Sequence, residues 1–189
     1  MGFNYKVLNN QIFSNGKYAI VPIRIEDRHV IRKWRNEQIF HLRQNKALSE
    51  EDQDNYFNTV VKSLFSQDHP NQILFSYLED GECIGYGGLV HINWVDKNAE
   101  ISFLTKTTIK GNEYEFHMST FMNLLDKVAF EELNLHKVFT YTFDVRPEIY
   151  PILEKNGFIK EAILKEHCFF NRGFKDVIIH AKFNAIEKS

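Results

Sequence analysis

Cysteine is scarce in this 189-residue chain, with only Cys83 and Cys168, each set in an apolar stretch. That excludes a disulfide framework and a cysteine-rich zinc site, and both residues read as reduced core thiols. Proline is limited to four residues, and no Pro- or Ser-rich tract marks a linker. No internal repeat or low-complexity segment interrupts the chain, so residues 1–189 read as one domain. Neither charge dominates: 23 basic residues face 25 acidic ones, for a formal charge of -2. Such balance argues against nucleic acid or an anionic membrane as partner. No apolar run reaches membrane-spanning length, and Met1–Lys6 lacks the basic-then-apolar build of a signal peptide, so a cytoplasmic location is expected. The eight histidines show no HxxxH or Cys/His spacing, and no metal is expected. Gly-x-Ser-x-Gly and P-loop patterns are also missing.

What is present is apolar and aromatic: 43% hydrophobic residues, including 17 Phe and 8 Tyr, enough for a sizeable core. The periodicity predicts a strand over 18–23, then a helix with Val30, Ile31 and Trp34 on one face. Ser49 followed by Glu50, Glu51 and Asp52 marks the start of a second helix, with Tyr56, Val60, Val61, Leu64 and Phe65 as its apolar stripe. Two β-rich runs flank Glu79-Asp80-Gly81-Glu82, where Asp-Gly supplies a tight hairpin turn. The second run continues to Trp94 and turns through 95–98 into a third, 99–104, which places Glu100 and Ser102 on the same face. Beyond a polar loop from Thr105 to Glu115, residues 121–133 repeat with helical spacing and 138–143 returns as a strand. That crossover implies a parallel pair. Pro147 and Gly157 bracket a further helix, and two strands close the chain near 158–167 and 174–183. The class is α/β (α+β): a mixed sheet of about seven strands flanked by about four helices, with residues 1–17 either an extra strand or an arm. Gly85, Gly87 and Gly88 inside a β-rich run mark a bulge or a close backbone approach, by a ligand or by the sheet itself.

Three local motifs carry a family resemblance. Glu82-Cys83-Ile84-Gly85-Tyr86-Gly87-Gly88-Leu89 resembles the third strand of the GNAT N-acetyltransferases, Asn98-Ala99-Glu100-Ile101-Ser102-Phe103 their fourth, and Glu154-Lys155-Asn156-Gly157-Phe158 their EKxGF helix end. The element order from about Tyr18 to Phe183 is similar to theirs. The segment Glu166 to Lys182 resembles the closing hairpin of the branch acetylating ribosomal-protein N-termini, antibiotics or nucleotide-linked amino sugars. Trp34-Arg35-Asn36 resembles a WRN element of acetyltransferases acting on nucleotide-linked 4-amino sugars.

The resemblance implies acetyl-CoA as co-substrate and transfer of its acetyl group to a primary amine by direct attack. Glu100 would be the base, and strand desolvation would favour that role; a solvated strand carboxylate paired with a lysine is the bland alternative. Phe103, Leu104 and Thr105 would face the pantetheine through their backbone. Lys110, Gly111, Asn112, Glu113 and Tyr114 would hold the pyrophosphate ahead of the long helix. Here the chain departs from the family: of the usual Gln/Arg-x-x-Gly-x-Gly/Ala pattern only Gly111 is matched. The family's catalytic tyrosine position holds Leu153 and its frequent Asn holds Arg146, so Tyr150, one turn earlier, becomes the candidate acid, with His91, Tyr141 and water open.

Trp34, Arg35, Asn36, Arg43 and Tyr56 are the candidate acceptor contacts, the guanidinium groups suiting phosphate. Core packing of Trp34 and surface positions for the arginines are the alternatives. The expected acceptor is the amino group of a nucleotide-linked sugar; the alternatives are a protein N-terminus, a polyamine or another small amine. A non-catalytic acyl-CoA-binding module is the alternative of another class.

Overall fold

The computed structural model describes residues 4–42 and 44–185. Eight strands form one sheet in the order β1-β2-β3-β4-β5-β6-β8-β7. They are β1 (Phe13–Asn15), β2 (Tyr18–Pro22), β3 (Ile73–Glu79), β4 (Glu82–Asn93), β5 (Asn98–Thr105), β6 (Lys137–Phe143), β7 (Ile159–Phe170) and β8 (Gly173–Phe183). Every neighbouring pair is antiparallel except β5 with β6, the pair that the helical crossover predicts. The helices are α1 (Arg28–Glu37), α2 (Glu50–Tyr56), α3 (Lys62–Leu64), α4 (Gly111–Asp126) and α5 (Tyr150–Lys155). A π-helical turn, Phe57–Val61, fuses α2 and α3, and another, Lys127–Glu132, extends α4.

The strand beyond the expected seven is β1, a hairpin partner of β2 across Gly16. The arm before it is built into the core. Tyr5 is 1% exposed, its hydroxyl donates to the Leu74 carbonyl and accepts from the Leu74 amide, both at 2.9 Å. A buried phenol is tolerated because both of its hydrogen-bonding roles are filled.

Ser49 caps α2 as its sequence suggests: its side chain accepts from the Asp52 amide while Asp52 accepts from the Ser49 amide. Ser49→Ala should cost about 1 kcal/mol in urea unfolding. The apolar stripe of this helix shifts from the one expected. Phe57, Val61, Leu64 and Phe65 are buried, while Val60 is 38% exposed. The π turn adds a residue to the repeat and rotates the buried face by one position. Asp80 (φ 47°) and Gly81 (φ 84°) make the predicted hairpin turn. Cys83 and Cys168 are free, and burial pushes the Cys83 thiol up to about 12, as befits a packing residue. No helix among the described residues is long and apolar enough to cross a membrane.

Candidate active site

The site exists because the sheet divides. β5 and β6 pair only at Asn98↔Lys137, Ala99↔Val138 and Glu100↔Phe139. Beyond Glu100 β5 stays with β4, through Thr105, while β6 stays with β8, through Phe143. The strands diverge because different neighbours hold them, and the space between becomes a cavity of about 530 Å3. Glu100, Ser102, Phe103, Thr140, Tyr141 and Phe143 are among its walls.

The glycines of β4 make the tight side of this wedge. A side chain on Gly87 would overlap the carbonyl of Ser102 on β5, and one on Gly88 (φ 149°) would overlap the carbonyl of Ile73 on β3. Close approach is therefore made by the flanking strands, and of the two expectations for these glycines the sheet itself is the neighbour.

Glu100 is 6% exposed and sits at the last paired position, where the strands part. Its Oε2 lies 2.8 Å from Nδ1 of His91, whose side chain is 65% exposed. His91 occupies a break in the β4–β5 register and has φ 50°. Both residues line the central cavity.

A second cavity, of about 590 Å3, adjoins the first and shares His41, Tyr114 and Arg146 with it. Its wall includes Lys110, Gly111 and Asn112. The helix α4 begins at Gly111, several residues before the helical spacing suggested, so Gly111 to Tyr114 form its first turn instead of preceding it. Lys110 is the N-cap and offers no side-chain hydrogen bond, which leaves the first amides of a 16-residue helix available to an anion. Gly111 has φ 56° and open space where a side chain would be. The loop thus fits a pyrophosphate despite its departures from the family pattern. Glu113 lies 3.9 Å from His117 and lines none of the cavities, while Glu115, on the cavity wall, is paired with Lys155 of the same wall at 2.7 Å. Of the expected cofactor contacts, Phe103, Lys110, Gly111, Asn112 and Tyr114 line a cavity; Leu104, Thr105 and Glu113 do not. The Thr105 carbonyl accepts from the Gln38 side chain instead.

Arg146, in place of the family's Asn, lies over the Tyr114 ring at 5.1 Å and lines both cavities. Burial, together with the Arg146 charge, pushes His41 down to about 4, so its imidazole is neutral at pH 7. Gly111→Trp should raise the KM for acetyl-CoA about tenfold with kcat little changed, since the bulk and strain fall where the amides are presented. An unaltered KM in steady-state kinetics would remove this loop from cofactor binding.

The third cavity, of about 380 Å3, shares Arg35, Gln72, Val90 and Ser102 with the central one. Tyr56, Phe57, Gln53 and Tyr86 complete much of its wall. Arg35 donates to Tyr86 Oη at 2.6 Å and to Gln44 Oε1 at 3.0 Å. Tyr56 donates to Gln72 Oε1 at 3.3 Å, and burial raises its pKa.

Among the expected acceptor contacts, Arg35 and Tyr56 are brought to this cavity. Trp34, 5% exposed, is a core residue, and Asn36 is occupied in pinning the following loop through the Leu48 backbone and Gln44. Arg43 lies outside the described residues. Tyr150, the candidate acid, lines none of the three cavities. Its ring stacks on His180 and its hydroxyl donates to Asp144 at 2.8 Å; burial, and then that hydrogen bond, raise its pKa. His91, by contrast, joins Glu100.

A sheet split beyond one short parallel ladder, with a helix N-terminus on one side and a buried carboxylate at the fork, defines an acyl-CoA N-acyltransferase fold. An acetyltransferase (GNAT) domain model matches residues 20–179, and the chain belongs to that family. Spermidine N(1)-acetyltransferase of Vibrio cholerae serotype O1 is 28% identical over 111 residues, which is 58% of this chain and 62%, less than two thirds, of that enzyme. The Vibrio cholerae spermidine N-acetyltransferase crystallised with CoA and spermine matches with TM-score 0.79 and 20% identity, over 90% of this chain and 98% of that one. A dodecameric structure of the Vibrio cholerae enzyme in an intermediate state gives TM-score 0.76 at 20% identity, over 93% and 98%. At such identity the structural likeness is one of fold. These relatives bear out the family; the narrower branch of ribosomal-protein and amino-sugar enzymes finds no support among them.

Proposed function

We propose that this chain transfers the acetyl group of acetyl-CoA to a primary amine of a small acceptor, by direct attack and without an acyl-enzyme. The observation that carries this reading is Glu100, buried at the fork of the sheet in a cavity that joins a helix-N-terminal anion cradle to a second pocket. In the reaction the ammonium loses a proton toward the Glu100 carboxylate and the free amine attacks the thioester carbon. The C–N bond forms, the C–S bond breaks, and the second proton lost by the nitrogen passes through water to the CoA thiolate. The side chains of β5 and β6 hold the two reactants on either side of the fork.

The first acceptor class to consider is a polyamine or similar small aliphatic amine, which the spermidine-acetylating relatives support. One observation favours the second class, an amine joined to a phosphate, as in a nucleotide-linked amino sugar. Arg35 lines the acceptor cavity and, among the described residues, no carboxylate pairs with it. A guanidinium held only by neutral partners suits an anionic group on the acceptor, whereas Asp52 on the same wall would suit an ammonium.

Calorimetry with acetyl-CoA, followed by thiol release with spermidine, spermine, a nucleotide-linked 4-amino sugar and an N-terminal peptide, tests the reading. Binding and turnover of one of these amines is the expected result. Failure to bind acetyl-CoA would sink it, while binding without turnover across the panel would favour a non-catalytic acyl-CoA module.

A further inference from the structure

Glu100 does not line the central cavity alone. Its carboxylate holds Nδ1 of His91 at 2.8 Å, and His91 directly follows Val90, the cross-strand partner of Glu100, where the hairpin register breaks. In a regular antiparallel ladder Val90 and Glu100 would be followed by simple alternation. The break between Val90 and Asn93 instead lifts His91 into the left-handed region, φ 50°, and tips its ring to the cavity wall beside Glu100. Positive φ at a non-glycine residue is unfavourable, so the hairpin gives up stability to place this ring. The buried partner is the carboxylate, and the exposed one is the imidazole.

We infer that His91 is a catalytic residue: its Nε2 takes the proton from the acceptor ammonium, and Glu100 fixes the ring and offsets the charge that forms. This deepens the acetyl-transfer reading given above and rests on it. With Glu100 ionised, Nδ1 carries the hydrogen that donates to Oε2, and the tautomer leaves the Nε2 lone pair open. The N–H bond of the ammonium breaks, the Nε2–H bond forms, and the imidazolium sits against the carboxylate. The amine is then free to attack the thioester, and the exposed ring returns its proton to water. The imidazole is the exposed member of the pair and the carboxylate the buried one, so the ring is the group an entering ammonium can reach. The other titratable groups on the same cavity wall are Arg35, His41, Tyr114, Tyr141 and Arg146. His41, held down near 4 by burial, is already neutral in this range and supplies no limb near pH 7.

The test compares His91→Asn with wild type. Asparagine tolerates positive φ and its amide can replace the Nδ1–H donor to Glu100, but it has nothing at the Nε2 position. Expected is a fall in kcat of about 100-fold or more at pH 7 with the acetyl-CoA KM unchanged. The rising limb of the pH–rate profile near neutrality should vanish, and the rate should recover at high pH, where the acceptor is already a free amine. His91→Gln serves as a second variant, and matching thermal melts show that each is folded. If His91→Asn keeps the wild-type rate and profile, the proton does not pass through His91 and this inference fails alone. If the wild-type protein binds acetyl-CoA but acetylates no amine, the functional reading fails and the inference with it.

Discussion

Replacing Glu100 by glutamine is expected to lower kcat/KM for acetyl transfer at neutral pH by about 100-fold or more, the scale of a lost acid–base group. The amide keeps the shape of a side chain that is 6% exposed, and it can still accept the His91 hydrogen bond, so the fold should persist. What it removes is the negative charge at the fork of the sheet. The proton leaving the amine then has neither a carboxylate to reach nor one to balance an imidazolium. Acetyl-CoA affinity should stay within about twofold by calorimetry, because Glu100 lines the central cavity and not the one formed by Lys110 and Gly111. Equal rates and an unchanged pH–rate profile would take Glu100 out of the chemistry and leave it a structural partner of His91.

Gly88→Val should produce the largest loss of stability of any single change in the sheet, about 3 kcal/mol or more in urea unfolding. Two penalties coincide there. The residue holds φ 149°, which L side chains rarely adopt, and an added Cβ would overlap the Ile73 carbonyl and lie 3.0 Å from Leu74 Cα. Both obstacles are backbone in the central strand β3, which cannot yield without losing its ladder to β4. Gly16→Ala separates the two penalties: its φ is 59° but nothing lies within 4 Å of the new Cβ. That variant should lose only about 1 kcal/mol, the cost of backbone strain alone. A Gly88 variant no less stable than the Gly16 variant would mean that β3 and β4 can separate, and that the wedge is softer than its packing implies.

Much of the fold was legible because it is written in short-range signals. Asp80-Gly81 forms a tight turn since its neighbours alternate and both positions accept positive φ. Ser49 and Asp52 close their capping box within four residues. The parallel pairing of β5 with β6 follows from a strand, a helix and a strand in succession. Tyr5 was not legible, since its hydroxyl is satisfied by Leu74, 69 residues away. The π turn at Phe57–Val61 was not either, because a 3.6-residue period assigns Val60 to the core and only packing moves it out.

The candidate site divides the same way. Residue type and position on β5 were enough to single out Glu100, and Gly111 marked the cradle at the start of α4 even where the family pattern is lost. Those are local properties of a strand and a helix end, and the chain by itself determined them. Tertiary structure decided that Tyr150 is tied to Asp144, that Trp34 is core, that Arg35 lines the acceptor pocket without a carboxylate partner among the described residues, and that His91 meets Glu100. Each of these depends on which surfaces face one another after packing, and on a break in register that no local propensity specifies.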